Sequence, residues 1–219
     1  MDAFDAIRKR RAVRRYTDRP VADELVDRLL RMALSAPTGG GAQNWSLLVV
    51  RDADKRRQLA EHVIAGGAQY FQLMRRPKEG VSAAEHEEWA QGYARQVMGT
   101  YTNVPVWVMG IFVPNRGYPS DAAALGRIDD LLSVGFAMEN LMVAARAEGL
   151  GTVPITQFMR HREPQVRELF GLPDEVEPLV VSPLGYPEEF PAGRPPALQP
   201  AFKPWKSLVH DDAWGATRD

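Results

Sequence analysis

The chain has 219 residues, of which 45% are hydrophobic and 25% charged, with a formal net charge of -1 and no cysteine. This length and composition favour one globular domain over residues 1–219 and exclude a disordered or fibrous chain. The lack of cysteine excludes disulfides, thiolate zinc sites and a thiol nucleophile. The four histidines are far apart in sequence, and we predict no metal site.

The N-terminus is charged rather than apolar, unlike a secretory signal. Apolar runs in the sequence stay well short of the roughly 20 residues that span a bilayer. We therefore expect a cytoplasmic protein with no membrane partner.

Hydrophobic periodicity predicts both helices and strands, in the mixture typical of an α+β domain. The predicted helices cover residues 2–11, 22–36, 52–64, most of 69–102 with a break near 77–80, 121–148 and 164–171. The predicted strands cover residues 45–50, 105–113 and 179–185. The helix over 121–148 is apolar on several sides, which indicates burial in a core or a subunit interface. Gly149 and Gly151 are expected to end it through left-handed conformations.

A cluster of basic residues begins within the first predicted helix, where its apolar stripe ends. Its six cationic members are Arg8, Lys9, Arg10, Arg11, Arg14 and Arg15. The cluster has three possible interpretations: a solvated face, an arm that binds nucleic acid, or a pocket of arginine forks for one small phosphate. The slightly acidic balance of the whole chain and the lack of another basic stripe disfavour nucleic acid.

Four motifs in order resemble the nitroreductase family of FMN-dependent oxidoreductases. They read RKRRAVRRYTDRPV, SAPTGGGAQNW, NLMVAARAEGLGTVPI and VRELFGLPDEVEPLVVSPLGYP, and the resemblance covers Phe4 to about Pro195. It implies an α+β fold with a mixed central sheet flanked by helices. It also implies a domain-interlocked homodimer with FMN at the subunit interface and NAD(P)H as electron donor.

The resemblance assigns the first motif to the flavin. Arg10 and Arg11 would hold the FMN phosphate, and Arg14 would approach the N1/O2 edge of the ring. Ala12 stands where the family has a serine, so one hydrogen bond should be missing. Lys9 and Arg15 receive no role and are expected to be solvated.

The second motif resembles a family loop that reaches the flavin of the other subunit. Its matching residues are Pro37, Thr38, Gly39, Gln43 and Trp45. Gly41 and Asn44 depart from the pattern, and Asn44 is expected to supply an amide from a shifted position.

The remaining assignments come from the C-terminal half. Pro154, Ile155 and Thr156 resemble the segment on one flavin face, and the Thr156 N–H is expected to point at flavin N5. Thr156 and Arg14 are therefore the catalytic candidates. Arg194 resembles the basic residue that completes the phosphate site.

The activity implied is a ping-pong reaction in which hydride passes from NADH or NADPH through flavin N5 to a nitroaromatic or quinone. A flavin needs no protein acid or base for this chemistry, which fits the lack of an evident catalytic triad or carboxylate dyad. The adjacent acids Asp129 and Asp130 are expected to be structural or solvent-facing.

Residues 69–102 are expected to form a variable substrate lid, with Trp89, Tyr93 and Tyr101 as stacking candidates. Ordinary helix packing explains their spacing equally well. Dehydrogenation of a specialised metabolite and dehalogenation remain alternatives; for the latter, Glu88 and Tyr93 match part of an iodotyrosine site, but no lysine does. The tail over 187–219 is expected to pack on the partner subunit.

Overall fold

The computed structural model describes residues 1–114, 123–193 and 203–217. Within these ranges the chain forms seven α-helices and four β-strands. The helices are α1 (Ala3–Lys9), α2 (Asp23–Leu34), α3 (Ala53–Met74), α4 (Ala83–Met98), α5 (Ala123–Ala147), α6 (Gln157–Arg160) and α7 (Glu163–Phe170). The strands are β1 (Trp45–Val50), β2 (Val106–Phe112), β3 (Gly151–Thr152) and β4 (Glu177–Gly185).

The four strands form one sheet in the order β1-β2-β4-β3, and each neighbouring pair is antiparallel. Ala12 adds a parallel bridge to Thr152 at the β3 edge. The parallel part of the predicted mixed sheet is therefore confined, among the described residues, to this one bridge.

Strand β2 lies in the middle of the sheet, and all seven of its residues are buried. Successive side chains of a strand point to opposite faces. Trp107 and Met109 pack into the core beside α3, α4 and α7, whereas Val106 and Val108 pack into the core beside α2 and α5. Helices therefore cover both faces of the sheet, which explains why β2 reads as a continuous apolar run.

Local sequence signals account for several helix boundaries. Helix α4 begins with a capping box, in which the Ser82 hydroxyl accepts from the Glu85 N–H and the Glu85 carboxylate accepts from the Ser82 N–H. Helix α7 ends at Gly171, whose φ of 61° is left-handed. The helix break predicted near residues 77–80 is confirmed between Met74 and Ala83.

Most predicted boundaries differ from the structure by one or two residues, and one differs by ten. The helix predicted to end at residue 64 continues to Met74, through Gly66 and Gly67. A Cβ on Gly66 would collide with the Phe158 backbone carbonyl, so the glycine allows α6 to approach α3. The short elements β3 and α6 were absent from the prediction.

Gly151 does not end α5 in the manner predicted. Gly149 has a φ of 79° and takes the left-handed conformation, whereas Gly151 opens β3. A Cβ on Gly151 would lie 2.8 to 2.9 Å from three side-chain atoms of Val13. The Val13 N–H donates to the Thr152 carbonyl oxygen at 3.0 Å. Gly151 therefore lets the segment after α1 lie directly against β3.

We predict that Gly151→Ala lowers the free energy of unfolding by about 1–3 kcal/mol, because the new methyl group overpacks against Val13. Val13 is buried, at 1% exposure, and has little room to move. The control is Gly92→Ala in α4, where an added Cβ has no atom within 4 Å. That variant should be stabilised by up to about 1 kcal/mol through helix propensity. Urea unfolding checks both values, and equal stability of the two variants would contradict the packing argument.

Candidate functional site

The six basic residues near the N-terminus divide into two groups. Four form ion pairs at N···O distances of 2.7 to 3.0 Å: Arg8 and Lys9 with Asp5, Arg10 with Glu139, and Arg15 with Glu188. These carboxylates offset the local positive charge and disfavour a broad field of the kind that binds nucleic acid.

Arg11 and Arg14 have no carboxylate partner among the described residues. Arg11 Nη1 donates to the carbonyl oxygens of Arg8 and Arg10, each at 2.7 Å. Its Nε is buried and meets no acceptor within the described chain. Arg14 Nη1 makes one long contact, 3.5 Å, to the Ala12 carbonyl oxygen. Both guanidinium groups therefore retain donors for an anion or polar ligand.

The largest described cavity has a volume of about 600 Å³, within the usual range of small-molecule sites. It brings Arg14 together with the whole segment Val153–Thr156, about 140 residues later in the chain. Aromatic residues form much of its remaining wall: Tyr70, Phe71, Tyr93, Tyr101 and Phe158. The cavity thus unites an arginine, a segment in which Pro154 and Thr156 are exposed, and a largely aromatic wall.

The turn at 153–156 is fixed by hydrogen bonds to β4. Ile155 N–H donates to the Val181 carbonyl oxygen, and Val181 N–H donates to that of Ile155, both at 2.9 Å. The Ser182 hydroxyl accepts from Val153 N–H at 3.3 Å. Thr156 follows these anchors directly and is exposed. Its N–H has no hydrogen-bond acceptor among the described residues, so it is available to a ligand.

Pro154 and Thr156 also line a second cavity of about 330 Å³ on the α5 side. Met138 and Glu139 of α5 form part of its wall. Glu139 is the ion-pair partner of Arg10. The 153–156 segment therefore lies between the aromatic cavity and the region of Arg10, a residue predicted to bind the phosphate.

Asn44 occupies a different environment from the one predicted. It is buried, at 1% exposure, and its amide nitrogen donates to Asp130 Oδ2 at 2.9 Å. In this arrangement the amide stabilises a buried carboxylate of α5 and is not exposed to a ligand. The two adjacent acids were predicted to be structural or solvent-facing. Asp130 is structural, and Asp129 is exposed to solvent.

The other loop candidates lie at the surface. Pro37 and Gln43 are exposed, and Thr38 and Gly39 are half-buried. Thr38 Oγ1 accepts from the Gln43 N–H at 3.4 Å, which links the two ends of the loop. None of these residues lines the 600 Å³ cavity as far as the chain is described. Arg194 lies outside the described residues.

The three aromatic residues predicted to stack in a lid have three different positions. Tyr93 lines the cavity and makes an edge contact with Phe71, with ring centroids 4.9 Å apart. Trp89 stacks on Tyr93 at 5.5 Å, outside the lining. Tyr101 lines the cavity but is 1% exposed and packs edge-on against Trp107. Burial raises the pKa of the Tyr101 phenol, an effect that the nearby Arg14 charge opposes, so the phenol stays neutral at pH 7.

Arg75 and Phe158 are cavity residues that the sequence did not single out. Arg75 follows α3, and its guanidinium carbon lies 4.7 Å from the Tyr93 ring centroid. An arginine pair in a polar connection carries no pattern that distinguishes it from a solvated one. Within the described ranges, no helix is long and apolar enough to cross a bilayer, and no group of acidic and histidine residues is arranged to hold a metal ion.

Comparison with known proteins supplies the family. Protein DrgA of Synechocystis sp. is 30% identical over 174 residues, which cover 79% of this chain and 78% of that protein. Iodotyrosine deiodinase 1 of Rattus norvegicus is 27% identical over 184 residues, or 84% of this chain and 61% of that longer protein.

The solved structure of the NADPH:FMN oxidoreductase from Vibrio harveyi, complexed with NAD+, matches with a TM-score of 0.68 at 22% identity. The match covers 97% of this chain and 77% of that one, and it shows a common fold. The family model described as "Nitroreductase family" matches residues 7–186, which include the arginine segment and the turn before α6. The chain therefore belongs to the nitroreductase family.

Proposed function

We propose that the protein is an FMN-dependent oxidoreductase that transfers two electrons from NAD(P)H to an electron-poor aromatic or quinone acceptor. The observation that carries the proposal is the 600 Å³ cavity that unites Arg14, the 153–156 turn and an aromatic wall. The family is one of oxidoreductases, and a neighbour of the same fold is an NADPH:FMN oxidoreductase.

The residues of the site fit FMN in charge and shape. The buried Arg11 Nε without an acceptor in the described chain suits a phosphate, which guanidinium groups bind through paired hydrogen bonds. Arg10 is held by Glu139 and would exchange that carboxylate for the phosphate. The aromatic wall suits a planar ring system.

FMN, when bound, supplies hydride transfer through its ring nitrogen N5. The protein contributes position and charge. Arg14 would place a positive charge at the ring edge where negative charge develops on reduction, and preorganised charge of this kind stabilises the reduced state. The Thr156 N–H, held at a fixed place by the Ile155 bridge to Val181, would orient the ring.

A homodimer would complete the site. Helix α5 exposes an apolar stripe at four-residue spacing, formed by Ile128, Leu132 and Phe136 with 61%, 51% and 47% exposure. Side chains at this spacing share one helix face. We propose that this face packs against a second copy, and that the exposed 37–43 loop reaches the partner's flavin.

Dehalogenation is the second candidate, favoured by the similarity to iodotyrosine deiodinase 1 of Rattus norvegicus. The cavity supports only part of that activity. Tyr93 lines it, but Glu88 is exposed on α4 and lies outside the lining. Among the described lining residues, no carboxylate is available for the ammonium group of an amino-acid substrate, so we rank reduction of nitroaromatics or quinones first.

The first test is whether the purified protein binds FMN and uses it. We expect a yellow protein that releases FMN on denaturation and oxidises NADH or NADPH in the presence of a nitroarene or quinone. Stopped-flow absorbance would follow bleaching by NAD(P)H and recovery with each acceptor, halophenols included. A colourless protein that gains no colour with added FMN and binds heparin instead would overturn the proposal.

A series of arginine variants tests the cofactor roles. Arg10→Ala combined with Arg11→Ala should weaken FMN binding by at least about 100-fold, because each charge-assisted hydrogen bond contributes about 1.5–3 kcal/mol. Arg14→Ala should bind FMN but reduce it at a more negative potential. Fluorescence titration with FMN and redox titration provide the measurements.

Lys9→Ala is the matched control for this series, since the described contacts of the Lys9 side chain are with Asp5 on its own helix. It should leave both FMN affinity and potential unchanged. Equal FMN affinity in the double variant and the control would remove Arg10 and Arg11 from the site, and an unchanged potential in Arg14→Ala would remove that residue's role.

The dimer is tested with Leu132→Glu in the centre of the α5 stripe. A charge buried in an apolar interface is strongly unfavourable, so we expect the variant to sediment as a monomer and to lose FMN. Lys55→Glu, at an exposed position of α3, reverses a charge away from the stripe and should remain dimeric. Sedimentation velocity checks both, and a wild-type protein that is monomeric at all concentrations would refute the dimer.

A further inference from the structure

A second arginine lines the aromatic cavity, apart from the predicted cofactor residues. Arg75 follows α3, where its N–H donates to the Phe71 carbonyl oxygen at 3.0 Å. Both residues belong to the cavity wall, together with Tyr93 from α4. The guanidinium of Arg75 thus stands where the two lid helices border the cavity.

The contacts of Arg75 orient its guanidinium group and leave most of its donors available. The guanidinium carbon lies 4.7 Å from the Tyr93 ring centroid and 5.5 Å from that of Trp89, which stacks on Tyr93. Cation–π contacts of this kind hold a guanidinium against a ring face. The only described hydrogen bond of its side chain runs from Nη2 to Tyr93 Oη, at a long 3.4 Å.

The charge of the cavity is unbalanced. Its only charged lining residues within the described chain are Arg14 and Arg75, and no aspartate or glutamate is among them. Neither arginine has a carboxylate partner among the described residues. Some other arginines do have such partners: Arg95 pairs with Glu61 at 3.3 Å, and Arg167 with Glu163 at 2.9 Å. An anionic ligand would supply the missing countercharge at Arg75.

We propose that Arg75 determines acceptor specificity by binding the carboxylate of an aromatic acid, while the ring of that acid packs against Phe71 and Tyr93. The inference rests on the proposed function and narrows its substrates to nitroaromatic or quinoid acceptors that carry an acidic group. Arg14 faces the cofactor in this arrangement, which leaves Arg75 for the substrate.

The same charge distribution distinguishes an aromatic acid from an aromatic amino acid. An amino-acid substrate brings an ammonium group as well as a carboxylate, and a buried cation needs an acidic partner. The described lining offers none. A simple acid needs only the guanidinium fork, which matches a carboxylate through two parallel hydrogen bonds.

Equilibrium binding tests the proposal without turnover. Calorimetric titration of the purified protein should show that benzoate binds about tenfold more tightly than the neutral analogue benzamide. Tenfold is the low end for a charge-assisted hydrogen bond, as expected for an exposed arginine. Arg75→Gln should abolish this preference, and Arg75→Lys should retain part of it. Arg76→Gln is the matched control, because the neighbouring arginine is exposed and does not line the cavity.

Steady-state kinetics with two acceptors complete the test. Arg75→Gln should raise KM for 4-nitrobenzoate about tenfold and leave KM for its methyl ester, the KM for NADPH and the FMN content unchanged. Thermal unfolding of the variants should coincide with wild type, which separates substrate binding from a packing role in the lid.

Three results would overturn the proposal: no preference for benzoate in wild type, a preserved preference in Arg75→Gln, or a change confined to the KM for NADPH, which would assign Arg75 to the donor's phosphate. A protein that binds benzoate through Arg75 but lacks FMN would instead refute the proposed redox function alone.

Discussion

The close approach of Val13 to β3 joins the two halves of the site. One backbone hydrogen bond, from Val13 N–H to the Thr152 carbonyl oxygen, and one missing side chain, at Gly151, set the distance between segments about 140 residues apart. Arg14 directly follows Val13, and the 153–156 segment directly follows Gly151 and Thr152. Since both segments are fixed by backbone bonds at a sheet edge, their relative position depends little on side-chain motion.

The ion pairs of the basic cluster reduce the positive electrostatic field that its arginines and lysine produce. The basic cluster would be a strong positive patch if all its members were free, yet four of them are paired with carboxylates. The remaining two, Arg11 and Arg14, are adjacent to the fixed segment. A few oriented guanidinium groups bind one small anion with defined geometry, whereas a broad patch attracts any polyanion. The local pairing therefore disfavours a broad nucleic-acid surface and supports the proposal of a site for one small phosphate.

The elements with long periodic patterns were predictable, and the short ones were not. Strand β1 has the predicted bounds, and the long apolar helix lies within its predicted range. Strand β3 has two residues and α6 has four, too few for any period. Asn44 shows the same limit at the level of the site, because its partner Asp130 is 86 residues away. In sequence, Gly151 resembles a helix terminator because it follows a long helix. Its contact with Val13 is visible only in the fold.

Sequence spacing also failed to separate the lid aromatics, since packing and stacking require the same four-residue interval. The structure separates them by exposure: Tyr101 joins the core through Trp107, whereas Tyr93 and Arg75 border the cavity. The proposed cofactor residues Arg14 and Thr156 are positioned by the sheet edge. The proposed acceptor-binding residues Arg75 and Tyr93 are positioned by α3 and α4. In the proposed site, substitutions at Arg75 or Tyr93 would alter which acceptor binds and leave the backbone hydrogen bonds of Val13 and Ile155 intact. Thr100 is different, because its hydroxyl donates to the Arg14 carbonyl oxygen at 3.3 Å and so helps to place that residue. In the proposed site, the preference for a charged acceptor and the binding of the cofactor therefore depend on different residues.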